Sequence, residues 1–135
     1  MSPRTFDADL KRLIFERDSG RCWKCGHTAF DADVHHRLAR KMGGANARLE
    51  WINNPENLLL LHRRCHDEVE ASPKESRSAG WIISDSQDPE DTLVWSAWEG
   101  LWFRLHGPEF YKDPLSGILA PFAGQPPQLW SLVGV

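Results

Sequence analysis

The sequence predicts a small α+β domain in which a strand, a loop, a second strand and a helix pack against a tight turn with two cysteines. We call this turn, residues 22–26, the knuckle. Three observations predict this domain: a Cys-x2-Cys-Gly turn at Cys22 and Cys25, a histidine pair in a short extended stretch, and the apolar run 58–61 before helical composition. A chain of 135 residues has room for one compact domain. Its 41% apolar and 26% charged residues are typical of a globular protein, which excludes a disordered or collagen-like chain.

The N-terminal half predicts four elements around the knuckle. Residues 7–19 form an amphipathic helix that ends before Gly20, and its inward residues are Leu10 and Ile14, with Leu13 and Phe15 as further candidates. Residues 32–37 read as an extended stretch, and two glycines at 43–44 mark a turn or loop. Residues 58–61 predict a short buried strand or helix entry, and residues 62–71 a helix that Pro73 closes or restarts.

The C-terminal half differs in character. Residues 74–80 predict one or two helical turns, 85–91 an acidic loop, and 93–97 with 101–105 a hairpin around the turn 98–100. The stretch from residue 107 holds five of the nine prolines and is expected to be irregular. We therefore divide the chain into a core, 1–71, and a Trp-rich extension, 72–135, packed on or appended to it.

Three cysteines and one histidine make a complete set of ligands for structural zinc. Cys22 and Cys25 supply one half, and His62 and Cys65, in a His-x2-Cys spacing, supply the other. Such a site contributes folding free energy in a small domain. The alternative is a Cys-x2-Cys redox pair with Cys65 buried, which lacks the strand and helix context of thioredoxin-like proteins.

The remaining histidines suggest a second site with a different duty. His35 and His36 are adjacent on a predicted strand and therefore point to opposite faces, so one can bind a divalent cation while the other acts as general base. His66 supplies a second ligand, and Glu70, four residues later on the same helical face, a third, directly or through water. Two or three protein ligands leave open positions for a phosphate oxygen. Taken singly, each histidine also fits an ordinary surface residue.

Charge is distributed unevenly along the chain, although the net charge is only −3. Residues 35–64 carry six basic and two acidic side chains, whereas residues 71–135 carry four basic and eight acidic ones. The basic stretch predicts a small phosphate-facing patch that includes Arg37, Arg40 and Lys41. The other reading is a solvated surface of mixed charge.

These residues together resemble the HNH endonuclease pattern, specifically the zinc-clamped HNH proteins of tailed bacteriophages and prophages. The resemblance covers residues 6–70 and lies in the runs Asp-Val-His-His-Arg at 33–37, Lys-Met-Gly-Gly at 41–44, and Asn-Leu-Leu-Leu-Leu-His-Arg-Arg-Cys-His at 57–66. It implies a ββα-metal core in which His35 is a metal ligand, His36 the general base and His66 the final metal-binding histidine. Asn57 takes the place of the middle asparagine, which ties the loop to the strand that carries the base. Some members place a further ligand at the position of Glu70, and the family usually has cysteine at the position of His62.

The resemblance implies a metal-dependent DNA endonuclease that hydrolyses phosphodiester bonds with low sequence specificity. Its cofactors would be structural zinc and a catalytic Mg²⁺, Mn²⁺, Ni²⁺ or Zn²⁺, and its partners DNA and a phage terminase or other packaging proteins. Two alternatives remain: a non-catalytic zinc-binding module for nucleic acid or protein, and a degenerate HNH fold used as a scaffold.

Two further expectations concern the cell compartment and the tryptophans. The longest apolar run has four residues and the N-terminus lacks a signal-like stretch, so we expect no membrane partner and a cytoplasmic location, the host cytoplasm for a phage protein. Four tryptophans of the extension fit either nucleobase stacking or a hairpin core, the commoner use: Trp81, Trp95, Trp98 and Trp102.

Overall fold

The computed structural model describes residues 8–38, 52–84, 86–106 and 111–115. Within them the protein is a mixture of helices and small antiparallel sheets, which confirms the α+β class. The elements, in chain order, are α1 (Ala8–Arg17), β1 (Ala32–His36), a 3-10 turn (Pro55–Asn57), β2 (Leu58–His62), α2 (Arg63–Ala71), α3 (Pro73–Ala79), β3 (Val94–Ser96), β4 (Leu101–His106) and β5 (Tyr111–Leu115).

The first sheet carries the histidine pair. Strands β1 and β2 are antiparallel, with His35 opposite Leu59 and His36 opposite Leu58. Every leucine of the run 58–61 is buried, so β2 packs on both faces. This explains why its sequence is a continuous apolar run and does not alternate with polar residues. Helix α2 begins directly after β2. The predicted order of two strands followed by a helix is therefore confirmed.

Helix α1 buries a narrower face than the sequence suggests. Ile14 is fully buried and Leu10 partly so, as expected. Leu13 and Phe15, however, are 36% and 42% exposed, so their predicted inward orientation is wrong. Successive helical residues diverge by about 100°, which turns both neighbours of Ile14 away from the core. The other buried residue of the helix is Arg17.

A buried ion pair joins the end of α1 to β2. The Arg17 guanidinium donates to the Asp18 carboxylate at 2.7 Å and to the carbonyls of Pro55 and Leu58. Asp18 in turn accepts hydrogen bonds from the Trp23 indole N–H and the Leu60 backbone N–H. These two charged residues therefore fix the first helix and the knuckle against the strand, a role that the sequence does not predict for either of them.

The C-terminal half forms a three-stranded antiparallel sheet with β4 in the centre. The predicted hairpin is confirmed as β3 and β4, which pair with Val94 opposite Phe103. The irregular structure expected from residue 107 is wrong for 111–115, which form β5 and pair with β4. Proline is tolerated on an edge strand, because an edge does not need every backbone N–H. Pro114 lies on such an edge.

One buried cluster includes residues from both predicted parts of the chain. Trp23 of the knuckle meets Phe103 of β4 edge to face, with ring centroids 5.5 Å apart. Trp81 and Trp102 are 3% and 2% exposed, so these two tryptophans fill the core.

Among the helices of the described ranges, none has the length and apolarity needed to cross a membrane.

Candidate metal centres

The knuckle is built by a tight turn between two paired segments. Arg21 forms an isolated antiparallel bridge with Thr28, and the Gly26 N–H donates to the Cys22 carbonyl at 2.9 Å. Gly26 has φ of +82°, and a Cβ there would lie 3.0 Å from the Trp98 Cα, so glycine is required for both conformation and space. The turn directs Cys22 and Cys25 to one point.

The structure brings the four predicted zinc ligands together. The ligand atoms of Cys22, Cys25, His62 and Cys65 all lie within 4.8 Å of one another. The Cys25 Sγ is 3.2 Å from the His62 Nδ1, and the opposite nitrogen, Nε2, lies 2.8 Å from the Thr28 carbonyl. Since a carbonyl only accepts, Nε2 carries the proton and Nδ1 presents its lone pair to the thiols. Metal-bound histidines typically donate a hydrogen bond from the ring nitrogen that does not bind the metal, as Nε2 does here to Thr28.

The electrostatics of the cluster fit a dication. Burial acts to raise the pKa of the Cys22 thiol, but hydrogen bonds from the backbones of Cys25 and His62 outweigh it and hold the pKa below its ordinary value. Burial, reinforced by Cys22, raises the pKa of Cys65 to about 12, and burial also raises the pKa of Cys25. Cys25 and Cys65 therefore resist ionisation in this cluster, and a bound dication would favour their thiolate forms. Three thiols and one imidazole are a donor set that zinc prefers, so the cluster is compatible with a structural zinc site.

A second cluster lies between β1 and α2. The ligand atoms of His35, His66 and Glu70 lie within 4.8 Å of one another. His66 and Glu70 are four residues apart on one helical face, and the His66 Nε2 is 3.3 Å from a Glu70 carboxylate oxygen. The His35 and His66 rings meet edge to face with centroids 5.0 Å apart. Two imidazoles and one carboxylate are donors that suit several divalent cations.

His35 is held neutral and oriented. Its Nε2 lies 2.7 Å from the Trp81 carbonyl, so Nε2 carries the proton and Nδ1 holds the lone pair. Burial lowers the pKa of His35 to about 3, which leaves the imidazole available as a ligand at neutral pH. The carbonyl that orients it belongs to the C-terminal half of the chain.

His36 lies in a different environment from its neighbour. His36 is half-buried, and its Nε2 lies 2.7 Å from the Asn53 side-chain carbonyl oxygen. The two rings of the pair therefore have separate partners, as expected for adjacent strand residues. Asn53 was not predicted as a partner of His36, because no spacing rule connects the two residues.

The Asn57 side chain, just before β2, hydrogen-bonds the segments on either side of the connection that joins β1 to β2. Its side-chain oxygen accepts from the Leu38 N–H at 2.8 Å, and its amide donates to the Ile52 carbonyl at 2.9 Å. The Asn57 backbone carbonyl also accepts from the Arg37 N–H. This fully buried side chain joins the segment after β1 to β2, and no contact with a metal ligand is among its hydrogen bonds.

Arg37 was expected to bind phosphate, and the structure corrects this. The side chain is fully buried and donates to four backbone carbonyls, those of Gly80, Glu56, Pro89 and Thr92. A guanidinium engaged in this way does not face a substrate phosphate. Arg40 and Lys41, the other two expected phosphate-binding residues, lie outside the described residues.

Asp33 is the acidic residue near the second cluster that the sequence analysis did not assign. Its Oδ2 is 3.1 Å from the His66 Nδ1, and its Oδ1 is 3.5 Å from the Arg63 guanidinium. The signal was available: residues two apart on a strand share a face, and Asp33 precedes His35 by two.

Comparison with protein-family models finds no match for this chain, and comparison with curated proteins finds none either.

Proposed function

We propose that this protein is a metal-dependent DNA endonuclease with a ββα-metal core of the HNH type, formed by β1, β2 and α2. The observation that carries the proposal is the cluster of His35, His66 and Glu70 with ligand atoms within 4.8 Å of one another. Its three donors leave open coordination positions on a divalent ion, as hydrolytic metal sites require. A site that served only folding would be closed by a fourth protein ligand, as the cysteine cluster is.

The proposed reaction is hydrolysis of a phosphodiester bond. His36 removes a proton from water, the water oxygen attacks phosphorus, and the bond to the 3′ oxygen breaks; that oxygen takes a proton from solvent, which leaves a 5′-phosphate and a 3′-hydroxyl. The ion held by His35, His66 and Glu70 would stabilise the negative charge that develops on the phosphate and the leaving oxygen. His36 is next to His35 in the chain but has a separate partner in Asn53. That arrangement lets the base approach water without entering the ligand set.

The positioning residues around this centre support the same proposal. Asn57 holds the segment after β1 against the start of β2, so the strand that carries the base is tied to its neighbour. Tight positioning of this kind reduces the entropy cost of reaching the transition state. We further propose Arg40 and Lys41 for flanking phosphates, which would give weak sequence specificity, because backbone contacts carry no sequence information directly. A role beside a phage terminase in genome packaging rests on the sequence resemblance alone.

The test is cleavage of supercoiled plasmid in the presence of Mg²⁺, Mn²⁺, Ni²⁺ or Zn²⁺. Wild-type protein is expected to produce nicked or linear DNA, and His36→Ala to lose this activity while retaining metal content and thermal stability. His66→Ala is expected to lose both activity and the exchangeable ion while keeping the structural zinc. His27→Ala is the matched control, because the His27 side chain is exposed and belongs to neither cluster.

The result also separates the nuclease from the second candidate, a non-catalytic zinc-binding module. That candidate is favoured by the cysteine cluster, which would suffice for it without the second cluster. One zinc per chain and no cleavage with any of the four ions would favour the binding module or a degenerate scaffold. Wild-type cleavage by His36→Ala would remove His36 from the role of base.

A further inference from the structure

His66 lies between two carboxylates, one on each side of its ring. The Asp33 Oδ2 is 3.1 Å from Nδ1, and a Glu70 oxygen is 3.3 Å from Nε2. Asp33 comes from β1 and Glu70 from α2 itself, so the ring is held from two different elements. All three side chains are partly accessible, at 23% for Asp33, 24% for His66 and 62% for Glu70.

The two carboxylates do not have equivalent chemistry at this ring. A neutral imidazole has one N–H donor and one lone pair, and a carboxylate only accepts. If Nδ1 carries the proton and donates to Asp33, Nε2 presents its lone pair toward the Glu70 oxygen. Two acceptor atoms 3.3 Å apart are then stabilised by a cation shared between them. His35, with its lone pair on Nδ1, belongs to the same cluster.

We propose that Asp33 is a positioning residue that holds the proton of His66 on Nδ1 and thereby directs Nε2 to a divalent ion shared with His35 and Glu70. The inference rests on the proposed function only for the presence of that ion. Asp33 itself is outside the ligand cluster. It acts through His66, in the manner of carboxylate partners that orient metal-bound histidines and raise their basicity.

Asp33 also contacts Arg63, and the two contacts differ in character. The Arg63 guanidinium is 73% exposed and 3.5 Å from Oδ1, so that ion pair is open to solvent and salt. The contact with His66 uses the other oxygen and is shorter, at 3.1 Å. Removing Arg63 should therefore leave the His66 geometry in place, which makes Arg63→Gln a control for the role of Asp33 as an ion-pair partner.

The first measurement is the affinity for Mn²⁺, by calorimetric titration into protein that retains its structural zinc. Mn²⁺ is chosen because thiolate ligands favour zinc strongly over it, so the cysteine cluster stays loaded. Asp33→Ala is expected to weaken Mn²⁺ binding by about 10–100-fold, the usual effect of losing such a partner. Asp33→Asn keeps an oxygen that can accept from Nδ1–H and should bind more tightly than Asp33→Ala. Asp67→Ala removes one exposed carboxylate beside His66 and controls for charge alone.

The second measurement reports the tautomer directly and does not need a variant that folds. Nitrogen-15 NMR of histidine-labelled wild type, with Zn²⁺ added to fill the second site, should show the proton of His66 on Nδ1 and the metal on Nε2. Urea unfolding of each variant separates loss of affinity from loss of fold.

The outcomes distinguish this inference from the proposed function. If wild type binds Mn²⁺ and Asp33→Ala binds it as tightly as Asp67→Ala, or if NMR finds the His66 proton on Nε2, Asp33 is not a positioning residue and the nuclease proposal stands. If Asp33→Asn weakens binding as much as Asp33→Ala, the effect is one of charge and the inference fails. If wild type binds no second ion, the inference and the proposed metal centre fail together.

Discussion

Arg37 provides the sharpest test of how this fold is held together. Its guanidinium donates at 2.7–3.0 Å to the carbonyls of Gly80, Glu56, Pro89 and Thr92. These acceptors come from three parts of the chain: the 3-10 turn, the end of α3 and the segment before β3. The fully buried Arg37 side chain therefore holds these three segments against the end of the strand that carries the histidine pair.

Replacing Arg37 by Met preserves much of the volume and removes every donor. At about 1 kcal/mol for each of the four hydrogen bonds, the expected loss is roughly 4 kcal/mol. Removing a buried charge returns part of its desolvation cost, so we expect a net loss of about 3–4 kcal/mol. With a urea dependence of about 2 kcal/mol per molar, the unfolding midpoint should fall by roughly 1.5–2 M.

Two further variants separate geometry from charge. Arg37→Lys keeps the positive charge but concentrates its donors at one atom, which cannot reach four separated carbonyls, so we expect about half the loss. Arg12→Met is the matched control, since the Arg12 side chain is 62% exposed and pairs with Asp9 on the surface of α1. A midpoint for Arg37→Met equal to that for Arg12→Met would refute the structural role assigned to Arg37. A wild-type midpoint for Arg37→Lys would show that charge alone is sufficient.

Three other predictions follow from the structure. Cys22→Ser and Cys65→Ser should lose bound zinc by elemental analysis and give unfolded or insoluble protein, because zinc binding contributes folding free energy in small domains with such ligand sets; a folded variant with unchanged zinc would contradict the four-ligand site. Burial holds the pKa of His35 at about 3 in the folded protein. Below pH 6.5 the unfolded chain therefore binds a proton on this imidazole that the folded protein does not bind. Stability should therefore fall with decreasing pH between about 6.5 and 3, by up to about 1.4 kcal/mol per pH unit, and urea titrations should show a shallower fall in His35→Gln. Gly80→Ala should lower the melting temperature strongly, since Gly80 has φ of +78° and a Cβ there would collide with the Leu93 carbonyl; Gly100→Ala, at similar φ with open space, is its control and isolates the collision.

Local pattern predicts the elements that carry the two clusters. The strand 32–37, the apolar run 58–61 and the helix 62–71 appear as β1, β2 and α2 with bounds shifted by a residue or so. Parts of the two side-chain clusters were also predictable, because cysteine and histidine spacing places side chains on one turn or one helical face. The members of each pair lie within a few residues of one another, so spacing alone finds Cys22 with Cys25 and His66 with Glu70, whereas the meeting of distant pairs depends on the fold.

Long-range polar contacts are what local pattern cannot supply. Arg37 belongs to a basic stretch and reads as a surface residue, yet its acceptors lie 19–55 positions away. The same holds for Arg17, whose carbonyl partners lie 38 and 41 positions along the chain. The strand β5 escaped prediction for a related reason, because only its pairing with β4 favours an extended conformation over an irregular one.

The geometry of α2 couples the two clusters physically. Cys65 and His66 are adjacent on this helix, so their side chains diverge by about 100° and reach different neighbours: the knuckle and β1. Zinc bound by Cys65 would therefore fix the rotation of α2 about its axis. That rotation decides whether His66 lies against Asp33 and within reach of His35. A ligand that stabilises one arrangement of the helix favours any second ligand needing the same arrangement, and the coupling is reciprocal. If both clusters bind metal as proposed, loss of zinc from the first should lower the affinity of the second for a divalent ion, even though the two clusters share no residue.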